Sequence, residues 1–167
     1  MSPRPFLRWP DKRLSQRAEP ISAVTDETRA LWDDMIETMD AMPGYGLAAP
    51  QIGEMVQLAV VDVTEERGKA ICLANPEILS QSDETSDFDE ASPNLPGLSA
   101  KVTRPARVRV RFLDRSGTET VKDFEGLWAT SVQHQIDHLN GRMYFANLSK
   151  LKRDRLMKRW AKLEKSL

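Results

Sequence analysis

Residues 126–141 read GLWATSVQHQIDHLNG, and they hold both histidines of the chain, His134 and His138. Val132, Ile136 and Leu139 recur at helical spacing and supply an apolar face. Gly141 stands where a helix stops, because glycine takes the left-handed backbone of a C′ position without strain. The stretch is predicted as a helix over 126–140. Residues four apart share one helix face, so both imidazoles are presented together, as in a two-histidine metal site. In hydrolytic zinc sites of this kind Glu usually follows the first His; here Gln135 does. Two satisfied surface histidines without metal fit the same spacing, and the spacing alone leaves both readings open.

Working outward, residues 107–112 (RVRVRF) alternate strictly, which predicts a strand with Val108, Val110 and Phe112 inward and three arginines outward. A turn at Asp114–Gly117 leads to a return strand over 118–124. Residues 57–63 and 70–79 read as two more strands. Upstream, Leu31, Trp32, Met35, Ile36 and Met39 form an apolar stripe on a helix over 26–42, stopped by Pro43-Gly44. Residues 44–53 read as a small-residue loop, and the acidic run 80–90 as a loop or edge segment. The predicted class is α+β, one domain over 1–167.

Hydrophobic residues make up 40% and charged residues 29% of the 167, the balance of a soluble globular domain. No run approaches the roughly 18 apolar residues of a membrane span, and the start shows no secretory h-region. A single cysteine, Cys72, excludes an internal disulfide. These features predict a cytoplasmic protein, with neither DNA nor membrane as partner. Net charge is −1, unevenly spread: residues 148–167 carry eight Lys/Arg against two acids, so the rest of the chain is at −7. A basic helix over about 148–165 predicts either a solvated face or a docking surface for an acidic partner.

Three ordered segments carry more information: GYGLAAPQ (44–51), EASPNLPGLSAKVTRP (90–105) and QHQIDH (133–138). Together they resemble the three signature motifs of the peptide deformylases, G-x-G-L-A-A-x-Q, E-G-C-L-S-x-P and H-E-x-x-H. The first match is complete through Gly44, Gly46, Leu47, Ala48, Ala49 and Gln51, and the resemblance spans nearly the whole chain. It implies antiparallel or mixed sheets around a central helix bearing the two histidines. It also implies a divalent metal, zinc or iron, held by the second-motif Cys and the two His. The third-motif Glu would be the general base, and the first-motif Gln with the N–H after the Cys would stabilise the oxyanion.

Mapped residue by residue, this chain departs at three of those places. Aligning Leu95-Pro96-Gly97 and Arg104-Pro105 on the family's downstream residues keeps Glu90 and puts Ser92 on the Cys and Pro93 on the Leu after it. The other alignment puts Gly97 on the Cys; under both the thiolate is gone. A serine hydroxyl is a weak neutral ligand where a thiolate is a charged, soft one. Gln135 cannot take a proton, and a positioned base supplies roughly 10²–10⁴ in rate. Pro93 has no N–H, and such an oxyanion donor supplies about 10²–10³. Cys72 lies in an apolar strand and is expected to be core packing rather than a replacement ligand.

The expectation from these losses is a chain without deformylase turnover. It would hold no metal or a weakly bound one at His134, His138 and Ser92, and bind peptide N-termini or dock on the ribosome through its basic helix. Two enzyme readings stand beside it: an active metal-dependent deformylase acting on formyl-Met peptides, and a different hydrolase on the same scaffold. Gly44, Tyr45, Gly46, Glu90, Leu127, Thr130 and Ser131 are expected to line the substrate cleft. Thr130 and Ser131 are more polar than the family's methionine pocket leads one to expect, and Tyr45 is bulky enough to fill part of the site. Asp137 is expected to be a structural partner.

Overall fold

Five antiparallel strands form the main sheet in the order β1-β2-β3-β6-β7. They are β1 (Gly46–Ala48), β2 (Leu58–Val61), β3 (Ile71–Gln81), β6 (Arg107–Leu113) and β7 (Glu119–Glu125). A second, two-stranded sheet pairs β4 (Thr85–Glu90) with β5 (Ala100–Pro105). Helices α1 (Asp26–Ala41), α2 (Gly126–Leu139) and α3 (Lys150–Glu164) complete an α+β fold, with single 3₁₀ turns at Lys12–Ser15, Ala49–Ile52 and Tyr144–Asn147. The computed structural model describes residues 3–167.

The alternating stretch behaves as its pattern dictates. Val108, Val110 and Phe112 are buried, while Arg107, Arg109 and Arg111 pair with Glu84, Asp123 and Glu77 on the outer face. In β3 two register shifts flank Asn75-Pro76 and Ile78–Ser80. Asn75 takes φ 50°, and its side-chain amide bonds both backbone groups of Ile21. A proline and a positive-φ Asn suit such a bulge, because neither fits a regular ladder.

Helix α1 begins at a Thr25/Thr28 capping box with Asp26 and Glu27 in its first turn. Its Trp32, Met35 and Met39 pack with Leu47, Leu58 and Val60 into one core cluster. Cys72 lies in that same cluster. Leu156 and Trp160 of α3 enter another, with Leu95, Leu98 and Tyr144.

Helix α2 packs against both sheets, and ten of its fourteen residues are buried. Enclosure on several sides means that its polar side chains are buried along with its apolar face. Gln133, for example, donates to the carbonyls of Pro105 and Ala129. The helix ends at Gly141, φ 76°, where an added Cβ would meet the Ser15 carbonyl at 2.8 Å. Glycine is needed there for both conformation and space.

Two local expectations are corrected. The 44–53 stretch is not all loop: Gly46–Ala48 pairs with Ala59–Val61 as an edge strand, and a 3₁₀ turn follows. Of the acidic run 80–90, only residues 82–84 are loop: Ser80 and Gln81 end β3, and Thr85–Glu90 finds its partner in Ala100–Pro105. Its long-range partner supplies the pairing that its own composition does not suggest.

Candidate functional site

The centre of the site is the His134–His138 pair on α2. Their Nε2 atoms lie 3.1 Å apart, with ring centroids at 4.8 Å. Glu90, the last residue of β4, places Oε1 2.7 Å from His134 Nδ1. A carboxylate can only accept, so His134 Nδ1 carries the proton and its Nε2 presents a lone pair. His138 is completely enclosed. Burial, reinforced by the nearby Arg104 guanidinium, holds its pKa well below the usual value, and the ring is neutral near pH 7. Its Nδ1 has no hydrogen-bond partner.

Behind the pair stands a buried ionic brace. Arg104 on β5 donates to both carboxylate oxygens of Glu90, Nε to Oε2 at 2.7 Å and Nη2 to Oε1 at 2.9 Å. Its Nη1 donates to Asp137 on α2 at 2.9 Å. Asp137 is thus a structural partner, as expected. Burial alone would raise the Glu90 pKa, but the His134 and Arg104 hydrogen bonds outweigh it and the net shift is downward. The brace ties β4, β5 and α2 together at the point where the histidines emerge. Tyr144 covers them from the other side, stacked on His134 at 6.0 Å. Burial and then the Glu90 charge push its phenol up to about 12.

Ser92, Pro93, Asn94 and Leu95 form a turn closed by the Leu95 N–H on the Ser92 carbonyl at 3.0 Å. Proline suits the second position of such a turn. It also leaves no N–H beside Ser92, and the next N–H, that of Asn94, is directed at Ser92 Oγ (3.3 Å). The Ser92 hydroxyl donates to Asn94 Oδ1 at 2.9 Å. Gln51 Oε1 accepts from the Ala48 N–H, which fixes the amide so that Nε2 faces Asn94 Oδ1 (2.9 Å) and Ser92 Oγ (3.3 Å). Asn94 is fully buried and its Nδ2 also donates to the Leu7 and Gln51 carbonyls.

A cavity of about 430 Å³ opens onto these groups. Gly44, Tyr45, Gly46, Gln51, Glu90, Ser92, Pro93, Leu127, Thr130, Ser131, His134 and Gln135 all line it, with Met42, Phe88 and Leu98. The expected cleft residues are therefore brought together. Tyr45 is the exception in role: it is 53% exposed and stands at the rim rather than filling the site. Ser131 Oγ donates to the Tyr45 carbonyl at 2.9 Å. Gln135 lies under Gly46, where an added Cβ would meet its Nε2 at 2.5 Å and Ser131 Oγ at 2.7 Å. Among the described residues the Gln135 Oε1 has no hydrogen-bond partner and is sealed from solvent.

The donor set fits a divalent cation through two nitrogens. Two Nε2 atoms at 3.1 Å, with one ring held from behind by a carboxylate, match two ligands at about 2.0–2.1 Å from one ion. Ser92 adds a neutral oxygen at most. Among the described residues there is no group of three His, Cys, Asp or Glu with metal-site geometry. Cys72 is buried in the α1 core cluster, where burial raises its thiol pKa against the opposing effect of Arg115.

Two functional positions escaped the sequence reading. Arg104 sits two residues along an alternating strand from buried Val102, a spacing that signals an inward-facing cation. Asn94 gave no signal beyond its turn-forming context.

The polypeptide deformylase family's sequence model matches residues 3–154. A peptide deformylase of Afipia carboxidovorans is 45% identical, covering 99% of this chain and 98% of that protein. One of Methylocella silvestris is 46% identical over 97% and 85%. The crystal structure of peptide deformylase from Ehrlichia chaffeensis superimposes with TM-score 0.91 at 36% identity, covering 98% of each chain. The same enzyme in complex with actinonin gives 0.90 at 38% identity over 98% and 99%. These findings correct the expectation of a chain that has left deformylase chemistry for a binding role. Relatives this similar along their whole length are named for the activity, and the cleft and braced histidines are intact, which favours the active-deformylase reading. On sequence and on fold, the chain belongs to the peptide deformylase family.

Proposed function

We propose that this chain is a metal-dependent hydrolase that removes the formyl group from formylated peptide N-termini. The observation that carries the reading is the His134–His138 pair, braced by Glu90, with His134 lining the cleft beside Gln51 and His138 buried behind it. A divalent cation on the two Nε2 atoms would lower the pKa of water and polarise the formyl carbonyl.

The chain's own residues define the rest. Glu90 keeps His134 in the tautomer whose Nε2 is free to donate its lone pair. Gln51 Nε2 carries two hydrogens, and the one now on Ser92 Oγ is available to the carbonyl oxygen as it gains charge. The Gln135 amide lines the cleft but takes no proton. Catalysis here therefore proceeds without the roughly 10²–10⁴ that a carboxylate at that place would supply. Ser92 leaves the cation with less donor charge, so metal occupancy depends on its free concentration.

The test is formate release from formyl-Met-Ala-Ser by zinc-, nickel- and iron-loaded protein. Turnover that stops on chelation and in His134→Ala/His138→Ala supports the reading; formate no faster than in that double variant overturns it.

We also propose a ribosomal partner for α3. Its basic residues except Arg153 are exposed, while Leu156 and Trp160 anchor its other side in the core. Lys and Arg so arranged meet RNA phosphates in a salt-dependent way.

A further inference from the structure

One rim of the cleft is held by a residue outside it. Met42, Pro43, Gly44, Tyr45 and Gly46 line that side of the cavity. Pro43 has no N–H to donate, and glycines flank Tyr45, so little in this stretch fixes its own backbone. Strand β1, which begins at Gly46, is three residues long and pairs only with β2. Partners from elsewhere in the chain therefore set where the rim runs. The Tyr45 carbonyl accepts from the Asp62 N–H and from Ser131 Oγ, both at 2.9 Å. The Gly44 carbonyl accepts from Arg67 Nη2 at 2.7 Å.

Arg67 lies in the loop between β2 and β3, and the loop's own bonds deliver its side chain to the rim. The buried Asp62 carboxylate accepts from the Thr64 N–H at 2.9 Å, the Thr64 hydroxyl at 2.6 Å and the Lys69 N–H at 3.0 Å. The Arg67 N–H donates to Thr64 Oγ1 at 3.1 Å. Arg67 takes φ 61°, a left-handed backbone that few residues other than glycine adopt, and such a conformation persists only where its surroundings hold it. Its guanidinium is fixed at three points. Nε donates to Asp40 Oδ1 in the last turn of α1 (3.0 Å), Nη1 to the Thr64 carbonyl (3.3 Å) and Nη2 to the Gly44 carbonyl. A planar fork reaches a carboxylate and two carbonyls at once, which the single point charge of a lysine does not.

Resting on the deformylase reading above, we propose that Arg67 is a positioning residue for peptide binding, clamping the Gly44–Gly46 rim to the end of α1 so that the cleft is formed before the peptide arrives. Gly46 leaves no slack on its inner side, where an added Cβ would meet Gln135 Nε2 at 2.5 Å and Ser131 Oγ at 2.7 Å. A rim released at Gly44 therefore changes the cleft where it borders Gln135. Arg67 itself does not line the cavity, and it makes no hydrogen bond to His134, His138 or Gln51. Its effect falls on the cost of ordering the rim around a ligand, and so on affinity rather than on the chemical step.

Formate release from formyl-Met-Ala-Ser by the full-length, zinc-supplied protein is compared for the wild type, Arg67→Ala, Arg67→Gly and Arg67→Lys. Where chemistry is slow, KM reads peptide affinity. Both truncations are expected to raise KM by about fivefold to tenfold with kcat held within about twofold, and Arg67→Lys to fall between them and the wild type. Glycine enters the left-handed conformation freely and alanine does not. Equal KM values in Arg67→Gly and Arg67→Ala therefore assign the effect to the guanidinium rather than to the loop backbone. Tm verifies the fold, and amide exchange over residues 43–46 is expected to quicken in both truncations. An unchanged KM, unequal KM values in the two truncations, or a fall in kcat as large as the rise in KM overturns the inference and leaves the deformylase reading standing. No turnover by the wild type overturns both.

Discussion

Glu90 Oε1 lies 2.7 Å from His134 Nδ1, and the same carboxylate is gripped by both Nε and Nη2 of Arg104. One side chain thus orients the metal-competent imidazole and neutralises a buried cation. Glu90→Gln keeps the shape but leaves Arg104 with Asp137 alone. Removing one partner of a buried pair costs about 3–5 kcal/mol. Chemical denaturation is expected to show a loss of that order; a loss below 1 kcal/mol would mean that solvent already screens the pair.

The same pair predicts a pH dependence. The Glu90 pKa in the fold is below its ordinary 4.5, so the unfolded chain binds its proton first as pH falls. The stability this group contributes is complete above about 4.5 and is lost as pH drops through the lower, folded value. Unfolding free energies measured in chelator are therefore expected to fall more steeply below pH 4.5 in the wild type than in Glu90→Gln. Parallel curves would show that Glu90 is not the group being titrated.

Much of the fold is legible in the residue pattern, because local chemistry and tertiary packing agree. The RVRVRF alternation survives into β6, the apolar stripe of 26–42 into α1, and the glycine stop at 141 into the end of α2. Strand β5 and its pairing with β4 are hidden, and β4 is legible only as one of two alternatives, because their stability comes from each other rather than from their own composition. In the site, the histidines, Gln51 and the cleft glycines announce themselves by spacing and motif. Asn94 does not, since its role is to tie together the backbone of residues 7 and 51 and the hydroxyl of Ser92, a relationship that exists only after folding.

By its resemblance to the third motif, Gln135 stands where the family's general-base Glu is expected. Gln135→Glu is expected to raise kcat on formyl peptides by about 10²–10³ with little change in KM. An unchanged kcat would show that proton transfer does not limit the rate.

Ser92→Cys supplies the charged, soft donor that the two imidazoles lack. Zinc affinity from competition with a chromogenic chelator is expected to tighten by at least about tenfold to a hundredfold, and cobalt-loaded protein to gain a thiolate charge-transfer band. Unaltered affinity without such a band would place residue 92 outside the coordination sphere.

Truncating α3 is a poor test of ribosome docking, because it also removes Leu156 and Trp160 from the core. Lys152→Glu, Arg155→Glu and Lys158→Glu together change only exposed positions. Co-sedimentation with ribosomes is expected to weaken in this variant and, for the wild type, to fall with rising salt. Equal, salt-insensitive binding by both would remove α3 from consideration.

The most direct test of the central claim remains formate release from formyl-Met-Ala-Ser by metal-loaded wild-type protein, measured beside Gln135→Glu and His134→Ala/His138→Ala. Slow, chelator-sensitive turnover is expected in the wild type, faster turnover in Gln135→Glu, and none in the double variant. Wild-type formate release indistinguishable from the double variant would contradict it.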